Sequence, residues 1–341
     1  MAAGNEVIIM KKNIAIIWLI GLTYSGFARD TRLEMSLTGK WRFEIGDDMD
    51  YSRSDFDDSD WEWARVPGCW EDFGFPGYDG YAWYRNKFRV PAGLESKSLR
   101  LKLGRIDDTD QVFVNGEHLG GLGTPPPDYH TAFDVQRDYY VPNVLLNFGK
   151  ENVIAIQVYD AGGCGGIYTG EIGLYSEKTI DLIMNLAGKW KFTIGDQMKY
   201  KEVNYDDSRW DQIMVPSTWE ANNLADYDGY GWYRKKVVID KNLASEKLIL
   251  TLGKIDDIDE IYFNGVRIGR TGNFPGEEHA SPNDTYYRQD RYYIIPPNLI
   301  RWNRENTIAV RVFDVWNIGG IYEGPIGLTT RTKYMKFMKI W

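Results

Sequence analysis

Apolar and polar residues alternate along this chain in short runs, most of them closed by Gly, Pro or Asp. Such alternation is typical of β-strands that bury one face. No segment of helical length repeats its apolar residues with a helical period, although Val141–Asn147 has room for a turn or two. Asn115-Gly116, between two alternating runs, predicts a type I′ hairpin turn. The predicted strands of the first half are Trp83–Val90, Ser98–Leu103, Gln111–Val114 and Val153–Tyr159, and those of the second half are Trp232–Ile239, Lys247–Leu252, Glu260–Phe263 and Thr307–Phe313.

The second half of the chain repeats the first. Trp41 is matched by Trp190 at an offset of 149 residues, and Gly165 is matched by Gly319 at an offset of 154. The second copy therefore has five additional residues, in the part that matches 119–140. A repeat this long indicates two whole domains rather than a solenoid. We expect an all-β protein of two tandem jelly-roll β-sandwich domains with the same topology, at 33–177 and 182–331, followed by a C-terminal tail at 332–341.

The first 28 residues have the composition of a secretory signal peptide. Lys11 and Lys12 precede the apolar run Ile14–Leu22, and small residues follow up to Ala28. This order of positive, apolar and small residues is that of a signal peptide, and the run is too short to span a bilayer comfortably. We therefore expect export to the periplasm or the extracellular space, with no transmembrane segment after cleavage.

Charge and cysteine content narrow the classes of partner. The net charge is −9 and no basic stripe is present, so nucleic acid is a poor partner. Cys69 and Cys164 lie in glycine-rich segments, and export would permit a bridge between them. The matching residues of the second half are Thr218 and Ile318. The sequence leaves the bridge open.

Three strings of the second half carry a family resemblance. They are Asp226–Arg234, Leu252–Asp257 and Phe263–Gly265, and the first half repeats them closely. Together they resemble the sugar-binding jelly-roll domain of glycoside hydrolase family 2, and are similar to versions that accompany sialate O-acetylesterases and β-galactosidase-like enzymes. The resemblance covers nearly all of the expected mature chain. It implies a galactose-binding-like fold and carbohydrate as a partner, in the role of a scaffold, a lectin-like module or one wall of an active site.

Aromatic and acidic residues gather in the predicted loops, where binding sites usually lie. Exposed rings could stack on the apolar faces of sugars while neighbouring carboxylates accept hydroxyl hydrogen bonds; alternatively, the two loop tryptophans seal the ends of the sandwiches. Trp316 has no aromatic counterpart, because Gly162 takes its place, so we expect the principal site in the second domain. The candidate ligand-binding residues of the second domain are Trp219, Glu220, Tyr227, Asp228, Tyr230, Arg234, Tyr286, Arg288, Asp314 and Trp316. Those of the first domain are Trp70, Glu71, Tyr78, Asp79, Tyr81, Arg85, His130 and Asp160.

Arg85 and Arg234 follow the strand tryptophans and have two interpretations. Alternation sends Trp and Arg to one sheet face and the intervening Tyr to the other. Either each arginine pairs with a carboxylate such as Asp107 or Asp256, or it lines a sugar cleft beside the tryptophan.

The acidic strings at 107–110 and 256–259 resemble a calcium loop only superficially. They lack the glycine and terminal glutamate of an EF-hand, although Ca²⁺ ligands can also be gathered from separate loops. A structural Ca²⁺ ion therefore stays open, and no other cofactor is expected. Adjacent strand residues point apart, so we expect Asp107 and Asp108 to make a poor catalytic pair and to support loops by hydrogen bonds.

The sequence contains none of the motifs that would assign catalysis to this chain. It has no Gly-x-Ser-x-Gly nucleophile motif, no histidine cluster and no strand–helix alternation of barrel length. We expect no catalytic residue. Three hypotheses follow: a secreted non-catalytic carbohydrate-binding protein, an accessory or truncated part of a glycoside hydrolase or sialate O-acetylesterase completed by a separate carbohydrate-active chain, or a structural or adhesion module without a glycan site.

Overall fold

The structure is a computed structural model that describes residues 31–222, 224, 227–277, 285–316 and 318–339. The expected signal peptide, 1–28, lies outside the described residues. Within them, no helix is both long enough and apolar enough to cross a membrane.

The first repeat folds as a sandwich of a four-stranded and a six-stranded antiparallel sheet. The strand orders are β1-β10-β5-β8 and β3-β2-β4-β9-β6-β7. The strands are β1 Thr31–Ser36, β2 Gly39–Ile45, β3 Glu62–Val66, β4 Gly80–Arg89, β5 Ser98–Asp107, β6 Thr109–Val114, β7 Glu117–Leu122, β8 Gln136–Val141, β9 Glu151–Asp160 and β10 Gly166–Glu177.

The second repeat has the same strand orders, each label raised by ten: β11-β20-β15-β18 and β13-β12-β14-β19-β16-β17. This confirms the all-β tandem of one topology. The strands are β11 Met184–Asn185, β12 Gly188–Ile194, β13 Asp211–Val215, β14 Gly229–Val238, β15 Leu248–Asp256, β16 Ile258–Phe263, β17 Val266–Thr271, β18 Asp290–Ile294, β19 Glu305–Asp314 and β20 Gly320–Thr330.

Short helical turns join the strands. A seven-residue helix, α1 Arg331–Phe337, begins where we expected only a tail, with the Thr330 hydroxyl accepting the Lys333 N–H at 3.2 Å. The 3-10 turns are Met49–Ser52, Trp70–Phe73, Ala92–Leu94, Asn143–Leu145, Met198–Lys201, Glu220–Asn222, Lys241–Leu243, Tyr286–Arg288 and Pro297–Leu299.

Strand alternation decides which side chains form the core between the sheets. Tyr84 is fully buried in the core, whereas Trp83 is fully buried in a separate aromatic cluster on the opposite face of its sheet, with Trp61 and Phe113. The second repeat places Tyr233 and Trp232 in the same way. The predicted hairpin is also present, because Asn115 and Gly116 have φ values of 52° and 84° in the turn from β6 to β7.

The two sandwiches contact one another through side chains of both. Met214 of β13 is buried against the core cluster of the first sandwich. Lys189 forms an ion pair with Glu117 of β7. Gly324 lies against the Tyr140 ring, which an added Cβ would approach to 2.9 Å. The turn after β13 also lies against β7, because an added Cβ at Gly120 would stand 3.9 Å from the Ala221 Cβ.

Candidate functional site

Trp70 and Trp219 seal the ends of the two sandwiches. Both are completely buried, with the Trp70 Nε1–H donating to the Tyr78 carbonyl at 3.0 Å and the Trp219 Nε1–H donating to the Tyr233 hydroxyl at 2.6 Å. Each indole lies against a Gly-Gly pair of the facing loop, so closely that a Cβ at Gly319 would stand 2.1 Å from Trp219. A buried ring offers no face to a sugar. The stacking interpretation of these two residues is therefore corrected to a packing one.

Glu71 and Glu220 hold the same glycine loops. A carboxylate oxygen of Glu71 accepts the Gly165 N–H at 3.2 Å, and one of Glu220 accepts the Gly319 N–H at 3.3 Å. The second oxygen of each carboxylate is buried and has no hydrogen-bond partner. Burial raises the pKa of Glu220 to about 7.

The turn tyrosines are largely occupied within the protein. The hydroxyls of Tyr78 and Tyr227 donate to the carbonyls of Tyr81 and Tyr230 at 2.8 and 2.9 Å. The Tyr230 ring stacks on Phe274 with a centroid separation of 5.9 Å and contacts Phe313 at 4.6 Å. The guanidinium of Arg311 lies over the same ring at 4.8 Å. Tyr230 is thus part of an aromatic–cation stack and is only partly buried, so its contact with ligand stays a prediction.

Arg85 and Arg234 do not reach the loop ends. Their Nε atoms form buried ion pairs with Asp58 at 2.9 Å and with Asp207 at 2.7 Å. The pairing interpretation is confirmed and the cleft interpretation is wrong for both arginines. The expected partners, Asp107 and Asp256, were also wrong, since the loop before β3 or β13 folds over the sheet and brings its own aspartate.

A second buried ion pair went unpredicted in each sandwich. Arg137 Nε donates to Asp110 at 2.7 Å, and the Tyr139 hydroxyl donates to the other Asp110 oxygen at 2.5 Å. Arg291 repeats the first contact with Asp259 at 2.6 Å. The available signal was the recurrence of Arg, Asp and Tyr at matching positions in both halves, although residues 119–140 carry the offset change.

Three carboxylates meet at the loop end of each sandwich. We call them the acidic triads: Asp107, Asp108 and Asp160 in the first sandwich, and Asp256, Asp257 and Asp314 in the second. In each triad, one oxygen of every carboxylate lies within 4.8 Å of the others. The expectation that Asp107 and Asp108 point apart is wrong, because they lie where β5 crosses to β6 rather than within one strand.

The triads also hold the neighbouring backbone, as the loop-support interpretation predicted. Asp108 accepts the Ala161 N–H at 3.0 Å and Asp160 accepts the Gly162 N–H at 3.0 Å. Asp257 and Asp314 accept the N–H groups of Val315 and Trp316, both at 3.2 Å. The same two contacts recur in each sandwich, one from each of two triad members.

One carboxylate of each triad is buried without full compensation. Asp160 and Asp314 have no solvent-exposed surface, and their Oδ2 atoms have no hydrogen-bond partner. Burial raises the pKa of Asp160 to about 6 and that of Asp314 to about 7, and neighbouring carboxylates add to both shifts. Burial and the adjoining acid also raise the pKa values of Asp107 and Asp256. Each triad is therefore an acidic group that could hold a cation.

The second loop end, which we define as Asp228, the second acidic triad, Val315 and Trp316, carries an exposed tryptophan where the matching turn of the first sandwich has Gly162; the exposed ring at the first triad is Tyr129, 38% exposed and on a different loop. The Trp316 side chain is 78% exposed. Asp228 is exposed and close enough to raise the pKa of Asp314 by repulsion, and its neighbour Gly229 pairs with Asp314 across β14 and β19. The structure thus brings Glu220, Asp228, Asp314 and Trp316 together.

The remaining candidates lie in the variable loops. Tyr286 packs beside Gly272 and Ile258, the residue that follows the triad's Asp257. Arg288 is exposed and donates to the Tyr287 hydroxyl at 2.7 Å. In the first sandwich His130 and Asp79 are exposed, while Tyr81 contacts the Tyr159 ring at 4.9 Å.

The two cysteines are joined. Cys69 and Cys164 form a disulfide with a Cα–Cα distance of 5.2 Å, which ties the loop of Trp70 to the glycine loop above it. The question that the sequence left open is therefore answered for the first sandwich, and Thr218 and Ile318 leave the second without a bridge.

Residues 47–163 match a family model described as the β-galactosidase second all-beta domain. A β-glucuronidase of Formosa agariphila is 25% identical over 157 residues, which are 42% of this chain and 14% of that enzyme. The β-galactosidase BoGH2A of Bacteroides ovatus is 26% identical over 168 residues, which are 43% of this chain and 18% of that enzyme. The matched part of this chain thus spans less than a fifth of either relative.

Among solved structures, a β-glucuronidase of Bacteroides uniformis aligns with 85% of this chain and 29% of its own at 18% identity and a TM-score of 0.37. A glycosyl hydrolase family 2 member from Bacteroides cellulosilyticus aligns with 84% of this chain and 32% of its own, at 16% identity and a TM-score of 0.36. From the sequence matches, the chain carries an all-β domain region of the kind found in the β-galactosidases and β-glucuronidases of glycoside hydrolase family 2.

Proposed function

We propose that this chain is a non-catalytic carbohydrate-binding protein whose principal site is the second loop end. The observation that carries the proposal is the exposed Trp316 ring on a turn whose backbone is held by Asp314 of the second acidic triad, with exposed Asp228 also close to Asp314. A structural module without a glycan site would have its loop aromatics buried, and Trp316 is not.

The chemistry of the second loop end suits a sugar. An indole face stacks on the C–H face of a pyranose, and carboxylate oxygens accept its hydroxyl protons. Stacking contributes on the order of 1 kcal/mol beyond burial, and a dissociation constant of about 1 mM requires about 4 kcal/mol, so a single ring with Asp228 supports only a weak site.

A glycan array that includes β-galactosides and β-glucuronides tests the proposal, since these are the sugars in the names of the relatives. Wild-type protein should bind at least one glycan, and Trp316→Ala should lose that binding with an unchanged melting temperature. Trp63→Ala is the matched control, because Trp63 is a 52% exposed tryptophan in the first sandwich, away from either loop end. Binding that disappears with Trp63 and survives without Trp316 would place the site elsewhere.

A second candidate is an accessory part of a glycoside hydrolase or sialate O-acetylesterase completed by another chain. The similarity to much longer enzymes favours it. In both candidates this chain has no hydrolase activity of its own. Turnover of aryl β-galactosides, aryl β-glucuronides or acetylated sialic acid by the purified chain, abolished by one carboxylate substitution, would refute that claim.

Calcium is the cation that we propose for the acidic triads. Carboxylate oxygens are hard ligands that Ca²⁺ prefers, at distances of about 2.3–2.6 Å. Two ligands on opposite sides of one such ion stand about 5 Å apart, so oxygens within 4.8 Å of one another fit a single ion. The partnerless Oδ2 atoms of Asp160 and Asp314 are the buried groups that such an ion would satisfy.

We also propose that the protein is exported. The disulfide between Cys69 and Cys164 is consistent with an oxidising compartment. Mass spectrometry of native material should find the N-terminus at Arg29 or a near neighbour, and a mature protein that retains Lys11 and Lys12 would contradict export.

A further inference from the structure

The loop that carries Trp316 is attached to the proposed cation ligands. Asp257 accepts the Val315 N–H and Asp314 accepts the Trp316 N–H, each at 3.2 Å. The positions of two consecutive backbone amides of this loop therefore depend on the positions of two carboxylates of one triad. Apart from these amides, the ring itself is 78% exposed and has little packing to fix it.

The triad carboxylates are not balanced by basic side chains of the described chain. Among the described residues, no lysine or arginine forms an ion pair within 4.0 Å with a member of either triad. The nearby Arg137 and Arg291 are paired with Asp110 and Asp259 instead. Asp314 is fully buried, and one of its oxygens has no partner. When all three carboxylates are ionised, their mutual repulsion favours a larger separation, and any such displacement moves the amides that they hold.

A cation at the triad would reverse this repulsion. It would draw the three carboxylates together and leave coordination positions for water or sugar hydroxyls, since Ca²⁺ takes six to eight oxygen ligands. Because the same carboxylates accept the loop amides, fixing the ligands also fixes the backbone of Val315 and Trp316. Order gained from one ligand lowers the entropic cost of binding a second.

We propose that Ca²⁺ bound by Asp256, Asp257 and Asp314 positions the Trp316 loop, so that the second loop end binds sugar in a calcium-dependent way. The sugar half of this inference rests on the proposed function, whereas the link between the cation and the loop does not. The first sandwich contains the same carboxylate-to-amide contacts with Gly162 in place of Trp316. It therefore provides an internal control that should bind the cation but carries no ring on the matching turn.

The first measurement needs no glycan. Calcium titrated into the EDTA-treated full chain by calorimetry should bind at two sites, and Asp314→Asn should remove one of them. Hydrogen exchange read by mass spectrometry should slow at Phe313–Trp316 when Ca²⁺ is added to wild type, and not in Asp314→Asn. The matching segment Tyr159–Gly162 should still respond in that variant, and Asp160→Asn should give the reverse pattern.

A second variant guards against misfolding. If Asp314→Asn fails to give the wild-type circular dichroism spectrum, Asp256→Asn replaces it, because Asp256 accepts neither loop amide and is only partly buried. No calcium binding, or binding that leaves exchange at Phe313–Trp316 unchanged, would overturn the inference.

The second measurement is the affinity for a glycan identified on the array, with Ca²⁺ and with EDTA. We expect affinity to fall about fivefold or more without Ca²⁺. Equal affinity in both conditions would overturn the calcium dependence and leave the proposed function intact. Calcium-dependent exchange in a protein that binds no glycan would instead support the cation–loop link and overturn the proposed function.

Discussion

After β9 the first sandwich continues into a turn with Gly162, and after β19 the second continues into the matching turn with Trp316. In both turns, two consecutive backbone N–H groups donate to the carboxylates of two aspartates. The support of the turn is therefore duplicated, whereas the ring carried by the turn is not. The acidic triad thus supports the turn in both sandwiches, and under the proposed function the residue that the turn carries distinguishes what the two ends bind.

The bodies of the two sandwiches show how different chemistry can occupy one position. In the first, His118 and Gln111 form a hydrogen bond between neutral groups at 2.5 Å across β6 and β7. In the second, Arg267 and Glu260 occupy the matching positions as an ion pair at 2.8 Å. The strands of the two hairpins pair in the same way, so this position accommodates either a neutral hydrogen bond or an ion pair.

The buried arginines should be equally important in both sandwiches. Arg137→Met and Arg291→Met each leave a buried carboxylate, Asp110 or Asp259, without its cation. We expect each variant to lose about 3–5 kcal/mol of unfolding free energy, measured by urea denaturation at pH 7. A loss below about 1 kcal/mol in only one of them would break the equivalence of the two frames.

Loss of the disulfide should affect the stability of the first sandwich more than that of the second. It joins residues 95 positions apart in the first sandwich and has no counterpart in the second. Replacing Cys69 and Cys164 together by alanine should cost about 2–4 kcal/mol, because the unfolded first repeat gains freedom. Calorimetry should show the loss as a lower melting temperature, and hydrogen exchange should rise in the first repeat more than in the second. Equal loosening of both repeats would contradict this assignment.

His118 should make the first sandwich sensitive to acid. Burial lowers its pKa to about 4, below the value of about 6.5 expected in the unfolded chain. The stabilising contribution is complete above pH 6.5 and is lost as the pH falls towards 4, where the unfolded state binds the proton first. The loss is at most about 3 kcal/mol. His118→Gln should reduce the pH dependence of the unfolding free energy between pH 4.5 and 7, and an unchanged slope would contradict a histidine that stays neutral in the folded state.

Much of the fold was predictable because the chain repeats itself. Period-two alternation placed Trp83 and Arg85 on one face and Tyr84 on the other, and the Asn115-Gly116 turn followed from its dipeptide. The offset of the second copy then required the same strand order, which the sheets have.

The site was less predictable because its contacts depend on how loops fold back. Nothing local shows that Trp219 turns inward under Gly319, or that Asp58 reaches Arg85 from 27 residues away. Predicting the first triad would have required knowing that the end of β9 lies beside the crossing from β5 to β6. That is a contact between segments distant in sequence. Trp316 was identified for a simpler reason: the first repeat has Gly162 at the matching position.

The most direct test of the account is the affinity of the second loop end for a saccharide selected on the array. Titration calorimetry of wild type, Trp316→Ala and Trp63→Ala in the presence of Ca²⁺ compares the exposed ring of the site with an exposed ring outside it. The account predicts about three- to tenfold weaker binding for Trp316→Ala, wild-type affinity for Trp63→Ala, and the same melting temperature for all three. Wild-type affinity in Trp316→Ala together with a lowered melting temperature would make Trp316 a packing residue and contradict the assignment of the site.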